Sequence, residues 1–557
     1  MRQRAVRRAN TLGVSLLVAV ILVATACGDD APSTFTGPIE ATVTHYDYTF
    51  DLESRAAHAK VTATLTTPGD CFTLPFRAEA PANAMLDGRA AMVTVADDKL
   101  TACIADGTDA ESIALEVDLT IPLQTISTSQ VGYSKTVDGS SNPFYYLVSW
   151  VGGCDQFAPC DDRPNVFATY TFTVTHPDTI QVACPGVIAT PSATQTTCTF
   201  DHPGGPTYST FGVAAYPKAA WVPTDKGMWG SVHATVYARP QTLVAEAIDS
   251  AHHNAFVAYM EQNFGAFPFG GELRVYAAPT YWSGFEHPGN IVLDDSLGRA
   301  TTPYTHNARH VLDHEIVHQW AGDETTLEDT YDFVWKESMA EYLAFTYEAI
   351  EEPTASDRTL AYWKSGALGA AFFPVPGEKP ALFDYYGDAY GPGPMILFRQ
   401  VERMSSRDSV IAGLKTLLGE PRAISVDDVV AALETSTGLD LDAYAAAWIR
   451  GMGAPVWPLV KTTYTPGSLH VQVTSGGERR CKFSVALKGA NAGESQLVEV
   501  NTFTGGIDQM IAVTAPAFTV TSTELDPLRE CLVYPDTTTR TARVHPWVSP
   551  RGLASTR

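Results

Sequence analysis

The sequence predicts a multidomain α+β protein, with an N-terminal all-β domain, a mainly α-helical domain and a small C-terminal β-sandwich. Three observations predict this order. Apolar residues alternate with polar ones from residue 41 to about 238, helical spacing dominates 305–350 and 393–450, and strand-like runs return after 457. A chain of 557 residues has room for about three or four domains.

The all-β domain is predicted for residues 41–240. Tyr46, Tyr48, Phe50 and Leu52 alternate with polar residues, and a period of two is typical of strands with one buried face. Runs rich in Thr, Val and Tyr continue this pattern and are separated by Gly, Pro and Asp, which is typical of strands joined by turns.

The mainly helical domain is predicted for residues 241–456. A helix-like pattern covers 243–263, a turn rich in Pro and Gly follows, and residues 273–277 are typical of a short strand. The β-sandwich is predicted for residues 457–540 and is followed by a tail at 541–557. Its predicted strands are 471–475, 483–487 and 517–522.

The first 27 residues have the composition of an export signal. Arginines are followed by an apolar run from Leu12 to Val23 that is too short for a comfortable membrane span, and then by small residues. The small residues at 24–26 fit ordinary signal cleavage, but together with Cys27 they also resemble a bacterial lipoprotein box in which this cysteine is acylated. Residues 28–40 are small and polar and are predicted to form a tether.

The number of cysteines favours the lipid anchor. The chain has nine, and an odd number in an exported protein leaves one thiol to explain. Assigning Cys27 to lipid leaves eight cysteines, and we predict that they pair in sequence order as four disulfides, Cys71–Cys103, Cys154–Cys160, Cys184–Cys198 and Cys481–Cys531. We therefore expect a bacterial cell-envelope lipoprotein held to the membrane by its anchor, with a plainly secreted protein as the alternative.

The chain carries a formal charge of −25. An acidic surface of this kind repels phosphate backbones, which argues against a nucleic-acid partner. The simpler interpretation of the acidic composition is that it keeps the protein soluble. The oligomeric state does not follow from the sequence.

The run HEIVH, residues 314–318, is the main candidate for chemistry. Residues four apart lie on one face of a helix, so His314 and His318 can hold one zinc ion together. Glu315 follows the first histidine and can take a proton from water at the metal. Glu337, in the next predicted helix, is the candidate third zinc ligand, while Glu341 either supports the site or faces solvent.

These residues carry a resemblance to a known family. HEIVHQW, followed 18 residues after its second histidine by the glutamate of WKESMAEYLA, resembles the gluzincin aminopeptidases, the family of aminopeptidase N. Residues 43–54, 145–174 and 439–456 resemble further segments of that family, so the resemblance covers about residues 41–540. It implies a thermolysin-like fold for the middle domain, one zinc ion and peptide substrates. The large helical C-terminal domain of many relatives is expected to be absent.

The resemblance also implies substrate-binding residues. In SGFEH, residues 283–287, Glu286 takes the place of the glutamate that grips the substrate's free amine, and Gly284 and Phe285 belong to the substrate strand. Tyr390 takes the place of the tyrosine that donates to the oxyanion. Nearby tyrosines compete for this role, namely Tyr342, Tyr385 and Tyr386.

Four residues depart from the family pattern. Ser283 and His287 replace a Gly and an Asn of the substrate strand, Lys336 replaces the Asn before the metal glutamate, and Trp150 lies near the place of an amine-binding Gln or Glu. These departures bear on how strictly a free N-terminus is required. We expect a zinc aminopeptidase. The alternatives are a zinc endopeptidase on the same scaffold and a catalytically inactive surface binding module.

Overall fold

The fold is described from a computed structural model, which covers residues 35–124, 131–202, 212–280, 282–298 and 307–537. The predicted export signal, Cys27 and most of the tether lie outside the described residues, so the lipid anchor remains a prediction. Within these ranges the chain is rich in β-strands first, then mainly helical, and then β-rich again, as the alternation and helical spacing predicted.

An eight-stranded sheet dominates the N-terminal region. Its longest strands, Glu40–Asp51 and Ala56–Thr67, are antiparallel neighbours. Tyr46, Tyr48 and Phe50 point into the core of this region and are at most 5% exposed, which confirms the predicted alternation. In spatial order the sheet contains Val187–Ser192, Gln195–Phe200, Thr169–Thr175, Glu40–Asp51, Ala56–Thr67, Ser112–Thr120, Asn83–Leu86 and Arg89–Ala90.

Two smaller sheets complete the N-terminal region. The five-stranded sheet has the order Ile180–Ala183, Gly212–Pro217, Pro143–Val148, Gly132–Val137 and Leu123–Gln124. The three-stranded sheet has the order Gly69–Pro75, Lys99–Thr108 and Met92–Ala96.

A second five-stranded sheet leads the chain to the candidate site. Its order is Val222–Trp229, Val232–Ala238, Glu272–Ala278, Asn290–Asp294 and Gly284–Phe285. The strand predicted at 273–277 is its central strand and runs parallel to both neighbours. The chain enters this sheet at Val222, before the boundary predicted at residue 240, and the domain boundaries remain predictions.

Two helices carry most of the candidate site. We call Ala308–Val317 the histidine helix and Phe333–Glu351 the glutamate helix. The histidine helix begins after Asn307, whose side chain accepts a hydrogen bond from the Arg309 backbone N–H at 3.0 Å and so caps the helix.

The pattern predicted as one helix over 243–263 is two segments. Asp249 has extended backbone between them, and its side chain accepts from the N–H groups of Ala251 and His252, so this N-cap starts a new helix. The other helices are Val244–Ala247, Ser250–Phe264, Pro353–Ala367, Leu382–Ala389, Pro392–Pro394, Gln400–Met404, Arg407–Lys415, Val426–Thr437 and Asp442–Trp448, with a π-helical segment at Met395–Arg399 and 3-10 turns at Cys154–Gln156 and Thr330–Asp332.

The C-terminal β region contains two sheets. One has the order Asp508–Ala512, Ser468–Ser475, Leu459–Thr465 and Tyr534–Pro535, and the other has the order Ser495–Asn501, Lys482–Lys488 and Ser522–Leu525. The strand predicted at 517–522 is therefore wrong for most of its length. The strand pairing begins where Ser522 lies opposite Lys488.

The remaining described elements are short. They are the α-helix Thr502–Gly505 and two two-stranded sheets, in which Thr325–Leu327 pairs with Arg422–Ile424 and Val375–Pro376 pairs with Arg450–Gly451.

The four disulfides have the predicted sequential pairing. They join Cys71 to Cys103, Cys154 to Cys160, Cys184 to Cys198 and Cys481 to Cys531. Disulfides of this number are typical of proteins that leave the cytosol. Within the described ranges, none of the helices combines the length and the apolar character that a membrane span requires.

Candidate metal centre

Three ligand atoms converge between the histidine helix and the glutamate helix. The Nε2 atoms of His314 and His318 lie 3.0 Å apart, and Glu337 Oε2 lies 3.4 Å and 3.6 Å from them. Tetrahedral zinc with ligands at about 2.0–2.1 Å separates its ligand atoms by roughly 3.3 Å. The three edges of this triangle therefore fit one zinc ion.

A polar group lies behind each histidine ring, on its Nδ1 side. His318 Nδ1 donates to the carbonyl oxygen of Ala321 at 3.0 Å. His314 Nδ1 lies 3.4 Å from Glu341 Oε1. Because Glu341 is buried and does not face solvent, the structure favours a role for it in supporting the site. The hydrogen bond at His318 Nδ1 leaves the Nε2 atom of this ring free to face a metal ion.

Glu315 lies next to this triangle and is 5% exposed. Burial raises the pKa of its carboxyl group to about 8, with the charges of Glu286 and Glu337 adding to the effect. A divalent cation at the histidines would lower this pKa again, because it favours the ionised carboxylate. The substrate strand comes very close here: a Cβ added at Gly284 would lie 2.2 Å from Glu315 Oε1, so only glycine fits.

Tyr390 is the tyrosine that lies at the metal triangle. Its hydroxyl donates to Glu337 Oε2 at 2.8 Å and also contacts the Tyr386 hydroxyl. Burial raises the pKa of Tyr390 well above its ordinary value, so it remains a proton donor at neutral pH. The rivals Tyr385 and Tyr342 instead donate to the Pro374 carbonyl and the Glu402 carboxylate.

Phe285 ends the strand Gly284–Phe285, and Glu286 follows it directly. Glu286 is 4% exposed, and its Oε1 atom lies 2.5 Å from Lys336 Nζ. Burial opposes ionisation of Glu286, yet the Lys336 charge holds its pKa below the ordinary value. Phe285 is buried and packs against His287, with ring centroids 4.8 Å apart and the ring planes tilted by 37°.

An aromatic cluster adjoins the site. Trp150 packs against Trp282, Phe333 and Tyr386, with ring centroids 5.8, 5.1 and 4.9 Å away. Tyr386 connects this cluster to the Tyr390 hydroxyl. Trp150 therefore forms part of an apolar surface at the place where the family resemblance suggested a polar residue that binds the substrate amine.

The sequence reasoning missed one buried polar network behind the histidine helix. Asp313 accepts from His252 Nε2 at 2.6 Å and from His253 Nδ1 at 3.0 Å. His252 Nδ1 donates to Glu351 at 2.8 Å. The His252–His253 doublet and an aspartate directly before the HEIVH run were the available signals, but nothing in their spacing shows that they meet.

Two histidines one helical turn apart, a glutamate from the following helix and a second glutamate beside the first histidine define a gluzincin-type metal centre. Comparison with known proteins agrees with this class. Residues 275–369, which include the histidine helix and the metal-binding part of the glutamate helix, match the family model described as Peptidase family M1 domain. The predicted resemblance to the gluzincin family of aminopeptidase N is confirmed.

Curated relatives match over a longer part of the chain. Aminopeptidase A of Gloydius brevicauda is 26% identical over 366 residues, and Aminopeptidase N of Streptomyces lividans is 24% identical over 330 residues. These matches cover 59% and 53% of this chain. The chain spans 36% of the length of each of these two relatives.

Solved structures share the fold. The M1 zinc metallopeptidase from Deinococcus radiodurans superposes with a TM-score of 0.60 at 19% identity, covering 75% of this chain and 95% of that one. Aminopeptidase A of Legionella pneumophila, in complex with aspartic acid, gives a TM-score of 0.70 at 15% identity, covering 89% of this chain and 59% of that one. At these identities the likeness concerns the fold alone.

Proposed function

We propose that this protein is a zinc-dependent aminopeptidase that removes N-terminal residues from peptides. The observation that carries the proposal is the triangle of His314 Nε2, His318 Nε2 and Glu337 Oε2, with Glu315 beside it and Glu286 nearby. The names of the relatives support the same activity, and a Deinococcus radiodurans M1 zinc metallopeptidase has been solved with a Tyr-Ser-Ala substrate.

The proposed chemistry divides between one zinc ion and the chain's own residues. When bound by His314, His318 and Glu337, zinc supplies Lewis acidity toward water and the peptide carbonyl. Glu315 takes the proton of the attacking water and delivers it to the leaving amine. Its buried position, against the backbone of Gly284, keeps this carboxylate fixed while it exchanges the proton.

Two further residues position the substrate. Tyr390 donates its phenolic hydrogen toward the carbonyl oxygen as negative charge develops there. Glu286 pairs with the ammonium group of the substrate's first residue and so places the first peptide bond at Glu315. The aromatic wall of Trp150, Trp282 and Tyr386 favours an apolar or aromatic first side chain.

The test is hydrolysis of paired peptides by the zinc-loaded full chain. A panel of Xaa-Ser-Ala tripeptides with apolar, aromatic or acidic first residues is offered with a free amine and as N-acetylated twins. The proposal expects release of the first residue from free-amine peptides, with higher kcat/KM than for the twins. Equal cleavage of both would assign an endopeptidase, and internal cleavage of a longer blocked peptide would support that alternative. Failure to cleave any peptide while zinc is bound would favour a binding module.

We also propose that the protein is exported and anchored through lipid at Cys27. The four disulfides support an oxidising compartment, and the odd ninth cysteine is the candidate for acylation. Fractionation of cells that produce the full chain or its Cys27→Ser variant tests the anchor. The wild type is expected in the membrane fraction and the variant outside it, and equal partition of both would refute the anchor.

A further inference from the structure

A buried lysine lies in the subsite where the proposed function places the substrate's amine. Lys336 is 1% exposed, and its Nζ atom lies 2.5 Å from Glu286 Oε1 and 2.8 Å from Glu337 Oε1. The same ammonium lies 5.6 Å from the centre of the Phe333 ring. Lysine is almost never fully buried unless its charge is paired, so these two carboxylates hold it in place.

The position of Lys336 is fixed by backbone as well as by charge. It precedes the metal ligand Glu337 on the glutamate helix, and its side chain passes against Gly322, where an added Cβ would lie 2.7 Å from Lys336 Cε. This glycine has a backbone φ of +141°, which residues other than glycine rarely adopt. The turn after the histidine helix thus leaves a channel that the lysine stem fills.

The pairing changes what Glu286 can offer a substrate. A free carboxylate gives an incoming ammonium a full opposite charge, whereas Glu286 already faces one cation at 2.5 Å. A substrate ammonium at the same carboxylate would lie within a few ångströms of Lys336 Nζ. Two like charges at that distance in a buried site repel each other strongly. The gain from a free amine is therefore smaller than Glu286 alone would give.

We propose that Lys336 is a specificity-determining residue that partly neutralises Glu286 and so reduces the preference for substrates with a free N-terminal amine. This inference rests on the proposed function of the same site. It predicts that this chain favours free-amine peptides over their N-blocked twins by a smaller factor than a variant with a neutral residue at 336 does. Lys336 acts on selectivity through Glu286 and takes no part in proton transfer.

The experiment compares wild type, Lys336→Gln and Lys336→Arg on the free-amine and N-acetylated tripeptides of the panel. The measured quantity is the ratio of kcat/KM for the free-amine peptide to kcat/KM for its twin. This ratio does not depend on the fraction of active protein in a preparation. Lys336→Gln removes the charge that repels the substrate ammonium. The ratio is therefore expected to rise about tenfold, which corresponds to about 1.4 kcal/mol of interaction. Lys336→Arg keeps the charge and is expected to keep the ratio near that of the wild type.

An unchanged or lower ratio in Lys336→Gln would overturn the inference and would show that the lysine only holds Glu286 in position. If this variant turns over neither peptide, calorimetric binding of the two peptides to it and to the wild type, both with Glu315→Gln, gives the corresponding ratio of dissociation constants, which is expected to change in the same direction. Failure of the wild type on every peptide of the panel would instead overturn the proposed function, so the two failures are distinguishable.

Discussion

Glu315→Gln is expected to lower kcat for the free-amine peptides by at least about 10²- to 10⁴-fold. The amide keeps the size of the side chain but cannot accept the proton of water. The side chain packs against the backbone of Gly284, where an added Cβ would lie 2.2 Å from Glu315 Oε1, so the amide should occupy the position of the carboxylate. The residual rate should come from the bound metal ion and from substrate positioning.

Zinc content is the control for this substitution. Glu315 is not one of the three converging ligands, so the variant should bind as much zinc as the wild type. Glu378→Gln is a matched surface control, since among the described residues this exposed carboxylate accepts one hydrogen bond, from the Gly453 backbone N–H at 2.9 Å, and it should leave kcat unchanged. A Glu315→Gln protein that retains wild-type kcat with zinc bound would contradict the assignment of Glu315 as the base.

Asp313→Asn is expected to destabilise the folded protein by about 3–5 kcal/mol, the cost of breaking a buried charge pair. The carboxylate is fully buried and lies 2.6 Å from His252 Nε2. Burial opposes its ionisation, yet the His252 charge and the two histidine hydrogen bonds hold the Asp313 pKa well below its ordinary value. Denaturant unfolding in the presence of a chelator measures the loss without a contribution from zinc.

The loss of folding stability caused by Asp313→Asn should depend on pH in a defined direction. Burial lowers the pKa of His252, but the Asp313 charge and hydrogen bonds outweigh it and raise this pKa to about 9. A group with a raised folded pKa contributes its stability below the unfolded pKa of about 6.5 and loses it as pH rises through about 9. The stability difference between wild type and Asp313→Asn should therefore be largest near pH 6 and shrink as the pH rises through about 9.

Asp118→Asn provides the control for the buried network. Asp118 pairs with His58 at 2.9 Å, and the two side chains are 52% and 46% exposed. Exposed pairs of this kind contribute about 0–1 kcal/mol, so this variant should unfold almost like the wild type. Equal losses for Asp118→Asn and Asp313→Asn would show that burial of the network does not determine its contribution.

The sequence predicted those features that depend on local spacing. The i, i+4 relation of His314 and His318 is fixed by helix geometry, and Glu337 followed from its place in the next helix and from the family resemblance. The alternation around Tyr46 and Tyr48 predicted buried strand faces because side chains alternate along a strand. Cysteines that neighbour one another along the chain proved to be disulfide partners.

Features that depend on long-range packing could not be predicted. Asp313 meets His252 and His253 across about 60 residues of sequence, and no local pattern encodes such a contact. Lys336 was visible only as a departure, since its pairing with Glu286 requires the substrate strand and the glutamate helix to be placed together. The choice of Tyr390 over Tyr385 likewise depended on packing, because Tyr385 lies within the helix Leu382–Ala389 and donates to the Pro374 carbonyl, whereas Tyr390 directly follows that helix and donates to Glu337.

The most direct test of the account is a zinc titration of activity. Full-length protein is freed of metal with a chelator, and hydrolysis of a free-amine tripeptide is measured as zinc is added. If one zinc ion is catalytic, the rate should rise linearly to one equivalent and then stay constant, and His318→Ala, which lacks one of the three ligands, should show no rise at stoichiometric zinc. Activity that is independent of zinc, or that needs a second equivalent, would contradict a single catalytic ion held by His314, His318 and Glu337.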